Sequence, residues 1–67
     1  MIISISYKND IIKMFQLKND AEAIKLAKNL EKNINSVSFN EEKATFICKN
    51  KLSSELICSY YRQRMEN

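Results

Sequence analysis

The side chains that could carry chemistry in this 67-residue chain are two cysteines and a few carboxylates. The sequence contains no histidine, so it offers no imidazole base near neutral pH and no Ser-His or Cys-His nucleophile. Cys48 and Cys58 do not have the C-x-x-C spacing of redox motifs, and two cysteines without histidine cannot complete a tetrahedral zinc site. We therefore expect both thiols to be reduced and buried.

The carboxylates have positions that are typical of structural roles. Glu41 and Glu42 are adjacent, so they either point apart in an extended loop or are solvated in a turn. Asp10, Asp20 and Glu22 fall at predicted loop ends or at a predicted helix start. The sequence also lacks glycine, which excludes the phosphate-cradling loops. These observations predict a protein that is not an enzyme and that has no cofactor and no metal site.

The composition is that of a globular domain, with 45% hydrophobic residues and a net charge of +3. The charge is small and dispersed, whereas nucleic-acid binders usually cluster a larger positive charge. No apolar run approaches the length of a membrane span, and the first residues, which lack a basic segment and a small-residue cleavage site, are not expected to be a signal peptide. The sequence therefore predicts one cytoplasmic domain over residues 1–67 with no membrane contact. Abundant Lys, Asn and Ile indicate AT-rich codons and a low-GC source.

The chain divides into two halves with similar hydrophobic patterns, about 1–34 and 35–67. Ser4-Ile5-Ser6-Tyr7 matches Ser36-Val37-Ser38-Phe39, and Met14-Phe15 matches Phe46-Ile47. Each half is predicted to fold as strand, strand, helix, so Phe15 and Ile47 should be equivalent.

The first half is predicted to begin with a hairpin. Apolar and polar residues alternate from Ile3 to Tyr7, which is typical of a half-buried strand. A turn at Asn9-Asp10 places Ile5 opposite Met14, whereas a one-residue slip would place Ile5 opposite Lys13 and is disfavoured by the hydrophobic pattern. The face predicted to be core contains Ile3, Ile5, Tyr7, Ile12 and Met14.

The remaining elements follow from the same patterns. The second hairpin is predicted to turn at Glu41-Glu42, and a four-residue loop over residues 40–43 is favoured because two glutamates suit a tight turn poorly. The first helix should run from about Asp20 to Asn33, with Asn19 as its cap and Glu22 in a capping box. The second helix should run from about Ser53 to Met65. The core face of the second hairpin is predicted to contain Val37, Phe39, Ala44, Phe46 and Cys48.

Two strand-strand-helix units predict an α+β fold with a four-stranded antiparallel sheet and both helices on one face. The favoured strand order is first, second, fourth, third, with residues about 11–18 and 43–49 in the central strands. This arrangement is a permuted ferredoxin-like plait with a pseudo-twofold repeat. Two side-by-side ββα units, with the first and fourth strands outermost, are the alternative.

Binding residues are predicted on two surfaces. The uncovered face of the sheet should show Phe15, Leu17 and Ile47, with Lys13 and Lys43 around them. The end of the second helix adds three residues of types that are common in interfaces, namely Tyr61, Arg62 and Arg64.

The leading functional hypothesis is a non-catalytic protein-interaction module from a phage or other mobile element. It would inhibit a host protein or nucleoprotein complex, as an anti-CRISPR protein does, and self-association is a further expectation because a core this small is marginal. The alternative is a small nucleic-acid-binding protein that stacks bases on Phe15 of the open sheet face.

Overall fold

The computed structural model describes residues 1–65, so the last two residues of the predicted domain lie outside the described range. Its elements are β1 (Ile2–Tyr7), β2 (Asp10–Gln16), α1 (Asp20–Asn33), β3 (Val37–Asn40), β4 (Lys43–Cys48) and α2 (Lys51–Met65). The predicted α+β class and the ββαββα order are confirmed.

The four strands form one mixed sheet in the order β2-β1-β4-β3. Within each hairpin the strands are antiparallel, but the central strands β1 and β4 run parallel to each other. The prediction of an all-antiparallel sheet in the plait order is therefore wrong, and so is the side-by-side alternative, because β2 and β3 form the edges. The burial of the strands fits this order. β1 is buried over Ile3–Ile5, as a central strand is, whereas β2 is exposed at every position except Phe15, as an edge strand can be.

The first hairpin has the register that the sequence pattern disfavoured. Lys8 and Asn9 form the turn, with φ angles of 53° and 67°, as a two-residue hairpin turn requires. Ile5 lies opposite Lys13, and Ile3 lies opposite Phe15. The register shifts next to Ile5, so that β2 contains one additional residue in a bulge.

This register reverses the predicted faces of β2. Ile12 and Met14, predicted as core, are 47% and 49% exposed, whereas Phe15 and Leu17 are buried. Leu17 extends the pairing beyond β2, because its N–H donates to the Met1 carbonyl at 2.9 Å. Phe15 and Ile47, predicted to be equivalent, consequently lie on opposite faces, and the pseudo-twofold repeat is not reproduced.

The other predicted core positions have mixed outcomes. Ile3, Ile5, Ala44 and Phe46 are fully buried, and Cys48 is also buried. Tyr7 and Val37 are half-buried at the margin of the core, and Phe39 is exposed because β3 is a short edge strand.

Local capping sets the helix starts. The Asn19 side chain accepts a hydrogen bond from the Glu22 N–H at 3.1 Å, which confirms the predicted cap of α1. In α2 the Asn50 side chain accepts from the Ser53 N–H at 2.8 Å, so this helix begins at Lys51, before the predicted Ser53.

Tyr61 is at the centre of the single core cluster and is fully buried. Its ring centroid lies 6.1 Å from that of Phe15 and 6.1 Å from that of Phe46. Its hydroxyl donates to the Ala23 carbonyl of α1 at 3.2 Å. Tyr61 therefore joins β2, β4 and both helices.

Candidate interaction surfaces

The face of the sheet opposite the helices is covered by no element of the described residues, and we call it the open face. Its positions follow from the registers: Ser4 lies between Met14 and Thr45, and in the next row Ser6 lies between Ile11 and Ile47. The full set is Ile2, Ser4, Ser6, Ile11, Met14, Gln16, Ser38, Asn40, Lys43, Thr45 and Ile47.

Large apolar side chains on the open face are exposed to solvent. Ile11 is 56% exposed, Met14 is 49% exposed and Ile47 is 67% exposed. Serines occupy the central strand between them, and the Ser4 side chain is fully buried with no hydrogen-bond partner for its hydroxyl among residues 1–65. Such a concentration of exposed apolar groups is typical of a binding surface.

The open face is nearly neutral, and each of its two ends carries charges of both signs, since Asp10 lies near Lys8 at one end and Lys43 follows Glu42 at the other. Among its residues only Lys43 is charged. Because β1 and β4 are parallel, Lys8 and Lys49 follow them at the same end of the sheet, which we call the lysine end. Glu41 and Glu42 form the turn at the other end, the glutamate end.

A second apolar surface lies on the outer side of α2. Leu52, Leu56 and Tyr60 recur every fourth residue and are 66%, 41% and 45% exposed, so they form a ridge along the helix. The buried residues Ile57 and Tyr61 lie on the side that faces the sheet. We call the three exposed residues the α2 ridge, and they point away from the open face.

No protein-family model, curated protein or solved structure matches this chain. Both surfaces are therefore interpreted from their own chemistry.

Only some of the predicted binding residues lie on these surfaces. Ile47 and Lys43 are on the open face, as expected. Phe15, Leu17 and Tyr61 are buried in the core, so the expectation that they are exposed is wrong. For Phe15 the reason is the β1–β2 register, which turns its side chain toward α2, where Tyr61 packs against it. Leu17 follows β2 and is buried on the same side of the sheet.

The predicted basic residues have separate environments. Lys13 lies opposite Ile5 on the helix-bearing side of the sheet, with its Nζ 5.6 Å from the Phe15 ring centroid. Arg64 forms an exposed salt bridge with Glu22 of α1 at 3.5 Å. Arg62 is exposed on α2. The three cations thus do not form one patch with Lys43.

The sequence analysis missed Ile11 and Met14 of the open face and all of the α2 ridge. Two signals for them were present. Adjacent Ile11 and Ile12 must face different directions in a regular strand, so one of them had to be exposed or in a bulge. The apolar arc of the second helix is also wider than one core face requires.

Cys48 and Cys58 are free and buried, as predicted. Burial raises the pKa of Cys48, and the nearby Cys58 thiol raises it further. Burial also raises the pKa of Cys58, which Arg62 and Lys13 partly offset. Both are therefore poor nucleophiles at neutral pH.

Residues 1–65 contain no group of three or more side chains that could hold a metal ion. No helix in this range has the length and hydrophobicity to cross a membrane.

Proposed function

We propose that this chain is a non-catalytic protein-interaction module. The observation that carries the proposal is that six of the nine exposed large apolar side chains of residues 1–65 lie in two groups, the open face and the α2 ridge, on opposite sides of one small core. Exposed apolar patches on small proteins usually mark contacts with other proteins. Two such surfaces allow the molecule to hold two partners at once.

The burial of Phe15 favours a protein partner over nucleic acid. Phe15 was the stacking platform on which the nucleic-acid alternative depended, and it is 6% exposed. Among the described residues, the open face contains no aromatic side chain on which a base could stack. Lys25, Lys28 and Lys32 form an exposed stripe on α1, but Glu22 and Glu31 on the same helix partly neutralise it, which does not favour a phosphate-binding surface.

The biological role that we propose is inhibition of a larger host protein or nucleoprotein complex, in the manner of an anti-CRISPR protein of a phage or mobile element. The small size, the lack of histidine and glycine and the AT-rich composition support it. The α2 ridge is the surface that we assign to the host protein. The charged residues of α2 are Lys51, Arg62 and Arg64 against Glu55, so acidic groups around an apolar groove would complement the excess positive charge of this helix.

The test is capture of proteins from a low-GC bacterial lysate, comparing two matched variants. Leu56→Gln/Tyr60→Gln changes the α2 ridge, and Lys28→Gln/Glu31→Gln changes the exposed polar side of α1 without changing net charge. All of these residues are exposed, so both variants should melt like the unmodified chain. We expect one captured complex to be lost with the first variant and retained with the second.

Two results would contradict the proposal. One is equal capture by both variants, which would place no binding energy on the ridge. The other is capture that depends on nucleic acid, in which the logarithm of the binding constant falls linearly with the logarithm of salt concentration.

A further inference from the structure

We propose that the free edge of β2 binds an extended peptide segment of a protein partner, which contains an acidic residue and pairs with β2 as an additional antiparallel strand. The free edge is the side of β2 that faces away from β1. It is separate from the open face and from the α2 ridge, so the inference goes beyond the proposed function and is tested independently of it.

The backbone of β2 has hydrogen-bonding groups that point to this edge. The Leu17 N–H donates to the Met1 carbonyl at 2.9 Å, and the Leu17 carbonyl accepts from the Met1 nitrogen at 2.8 Å, so both groups of Leu17 point toward β1. Backbone direction alternates along an antiparallel strand, so the N–H and C=O groups of Met14 and Gln16 point away from β1. Among residues 1–65 no strand lies beside these four groups.

This edge suits strand addition better than the other edge of the sheet does. β2 has seven residues and runs from the lysine end to the glutamate end, whereas β3 has four residues. The bulge lies before Lys13, so the pairing from Lys13 to Leu17 is regular. A long, exposed edge strand with apolar side chains such as Met14 is a template for a strand of another chain. Strand addition is also a common mode of peptide recognition.

Charges beside the edge determine the chemistry of the added strand. Lys13 of β2 and Arg62 of α2 are both exposed, and both lie near Cys58, whose pKa they lower. Glu55 is the carboxylate that acts on the same thiol in the opposite direction. Two cations thus stand against one carboxylate, and an acidic side chain opposite Lys13 would complement them. The next residue of the added strand would lie opposite Met14 on the open face, where an apolar side chain fits.

A second copy of this chain does not provide such a strand. The regular segment from Lys13 to Leu17 contains no carboxylate, so it would place no acidic side chain beside Lys13. The second copy would instead bring its own Lys13 to the same side of the seam, where like charges repel. The acidic residue therefore has to come from a different protein.

A nuclear magnetic resonance titration of the whole chain with a synthetic peptide tests the proposal. The probe is the acetylated and amidated peptide Thr-Ile-Val-Glu-Thr, in which valine would lie opposite Met14 and glutamate opposite Lys13. We expect saturable shift changes at the Met14 and Gln16 amides, with a dissociation constant in the millimolar range because so small an interface is weak.

Modified peptides test the hydrogen bonds and the charge without altering the protein. N-methylation of the valine removes the N–H that would donate to the Met14 carbonyl and should abolish binding. N-methylation of the glutamate changes an N–H that would point away from β2, so binding should be retained. A peptide with lysine in place of glutamate should bind at least about threefold more weakly. Lys13→Glu should reverse this preference between the glutamate and lysine peptides.

Two variants at one position test the protein side of the same hydrogen bonds. Gln16→Pro removes an outward N–H and leaves the β1–β2 hydrogen bonds in place, as proline on an edge strand can. It should weaken peptide binding at least about fivefold, whereas Gln16→Ala retains the N–H and should bind like the unmodified chain. Melting curves establish that both variants are folded. If Gln16→Pro does not fold, the two N-methylated peptides decide the question on the unmodified chain.

The inference is overturned if the peptide causes no saturable change, if the two N-methylated peptides bind equally, or if the changes are centred on β3. Shift changes at Met14 and Gln16 that appear when the concentration of the chain alone is raised would make a second copy the occupant and would also overturn it. Each of these results leaves ridge-dependent capture of a host protein untouched, so the proposed function stands or fails separately.

Discussion

Replacing Phe15 with alanine should remove most of the stability of this domain, even though Phe15 lies on an edge strand. Its side chain is 6% exposed and stacks on the buried Tyr61 with ring centroids 6.1 Å apart. Met14 is the matched control, because it is the adjacent residue on the same strand and is 49% exposed on the opposite face. The β1–β2 register alone determines which of the two is core.

The magnitude follows from burial. A buried Phe→Ala substitution costs about 3–5 kcal/mol, including the loss of the aromatic pair. A chain of this length has a total free energy of unfolding of roughly 3–10 kcal/mol at the usual 0.05–0.15 kcal/mol per residue. Phe15→Ala should therefore be largely unfolded or close to it at 25 °C. Met14→Ala should cost less than about 1 kcal/mol, as surface substitutions do.

Urea denaturation followed by far-ultraviolet circular dichroism measures both variants against the unmodified chain. If Phe15→Ala is too unstable for a complete transition, Phe15→Leu retains an apolar side chain and should give a measurable intermediate loss. A cost below about 1 kcal/mol for Phe15→Ala, together with a larger cost for Met14→Ala, would refute the register and restore the one predicted from the hydrophobic pattern.

Three further substitutions test other parts of the structure. Tyr61→Phe should cost about 1 kcal/mol in urea melts, because it removes the hydroxyl that donates to the Ala23 carbonyl. Burial raises the pKa of Tyr61 above the ordinary 10.0, so the unfolded chain loses the hydroxyl proton at a lower pH than the folded chain does. The free energy of unfolding should therefore fall as the pH rises past 10, and it should fall less steeply in the Tyr61→Phe variant. Cys48→Ala/Cys58→Ala should retain binding of both partners at some cost in stability, and mass spectrometry under non-reducing conditions should find no native disulfide in the unmodified chain. Lys8→Gly should stabilise the hairpin by about 0.5–1 kcal/mol in thermal melts, since Lys8 has a φ of 53°; an unchanged or lowered midpoint would count against this turn geometry.

The sequence predicted the elements that are determined by local interactions. The α1 bounds and the Asn19 cap are as predicted, because capping and helical spacing act within a few residues. The β2 faces were not predictable from alternation, since Ile11, Ile12, Met14 and Phe15 provide apolar residues for either face. The turn, the bulge and the distant Tyr61 decide between the two registers.

The candidate site was predicted only in part, because the faces of some of its residues depend on the β1–β2 register. Ile47 was placed correctly because β4 alternates cleanly between buried and exposed residues. Met14 was assigned to the core and Phe15 to the surface, since their places depend on that register. Strand order depends on which strands best tolerate burial, a property of the whole assembled sheet that no local pattern contains.

The parallel pairing of the two central strands also determines when the domain can fold. Each β1 residue pairs with a β4 residue about 40 positions later, as Ile3 does with Ala44, and such long-range pairing slows folding because the chain must close a long loop first. During synthesis β1 must wait, with only β2 beside it, until residues 43–48 have left the ribosome. Neither half of the chain can complete the central pair alone, so the domain should assemble in one late step, with the apolar residues of β1 exposed until then.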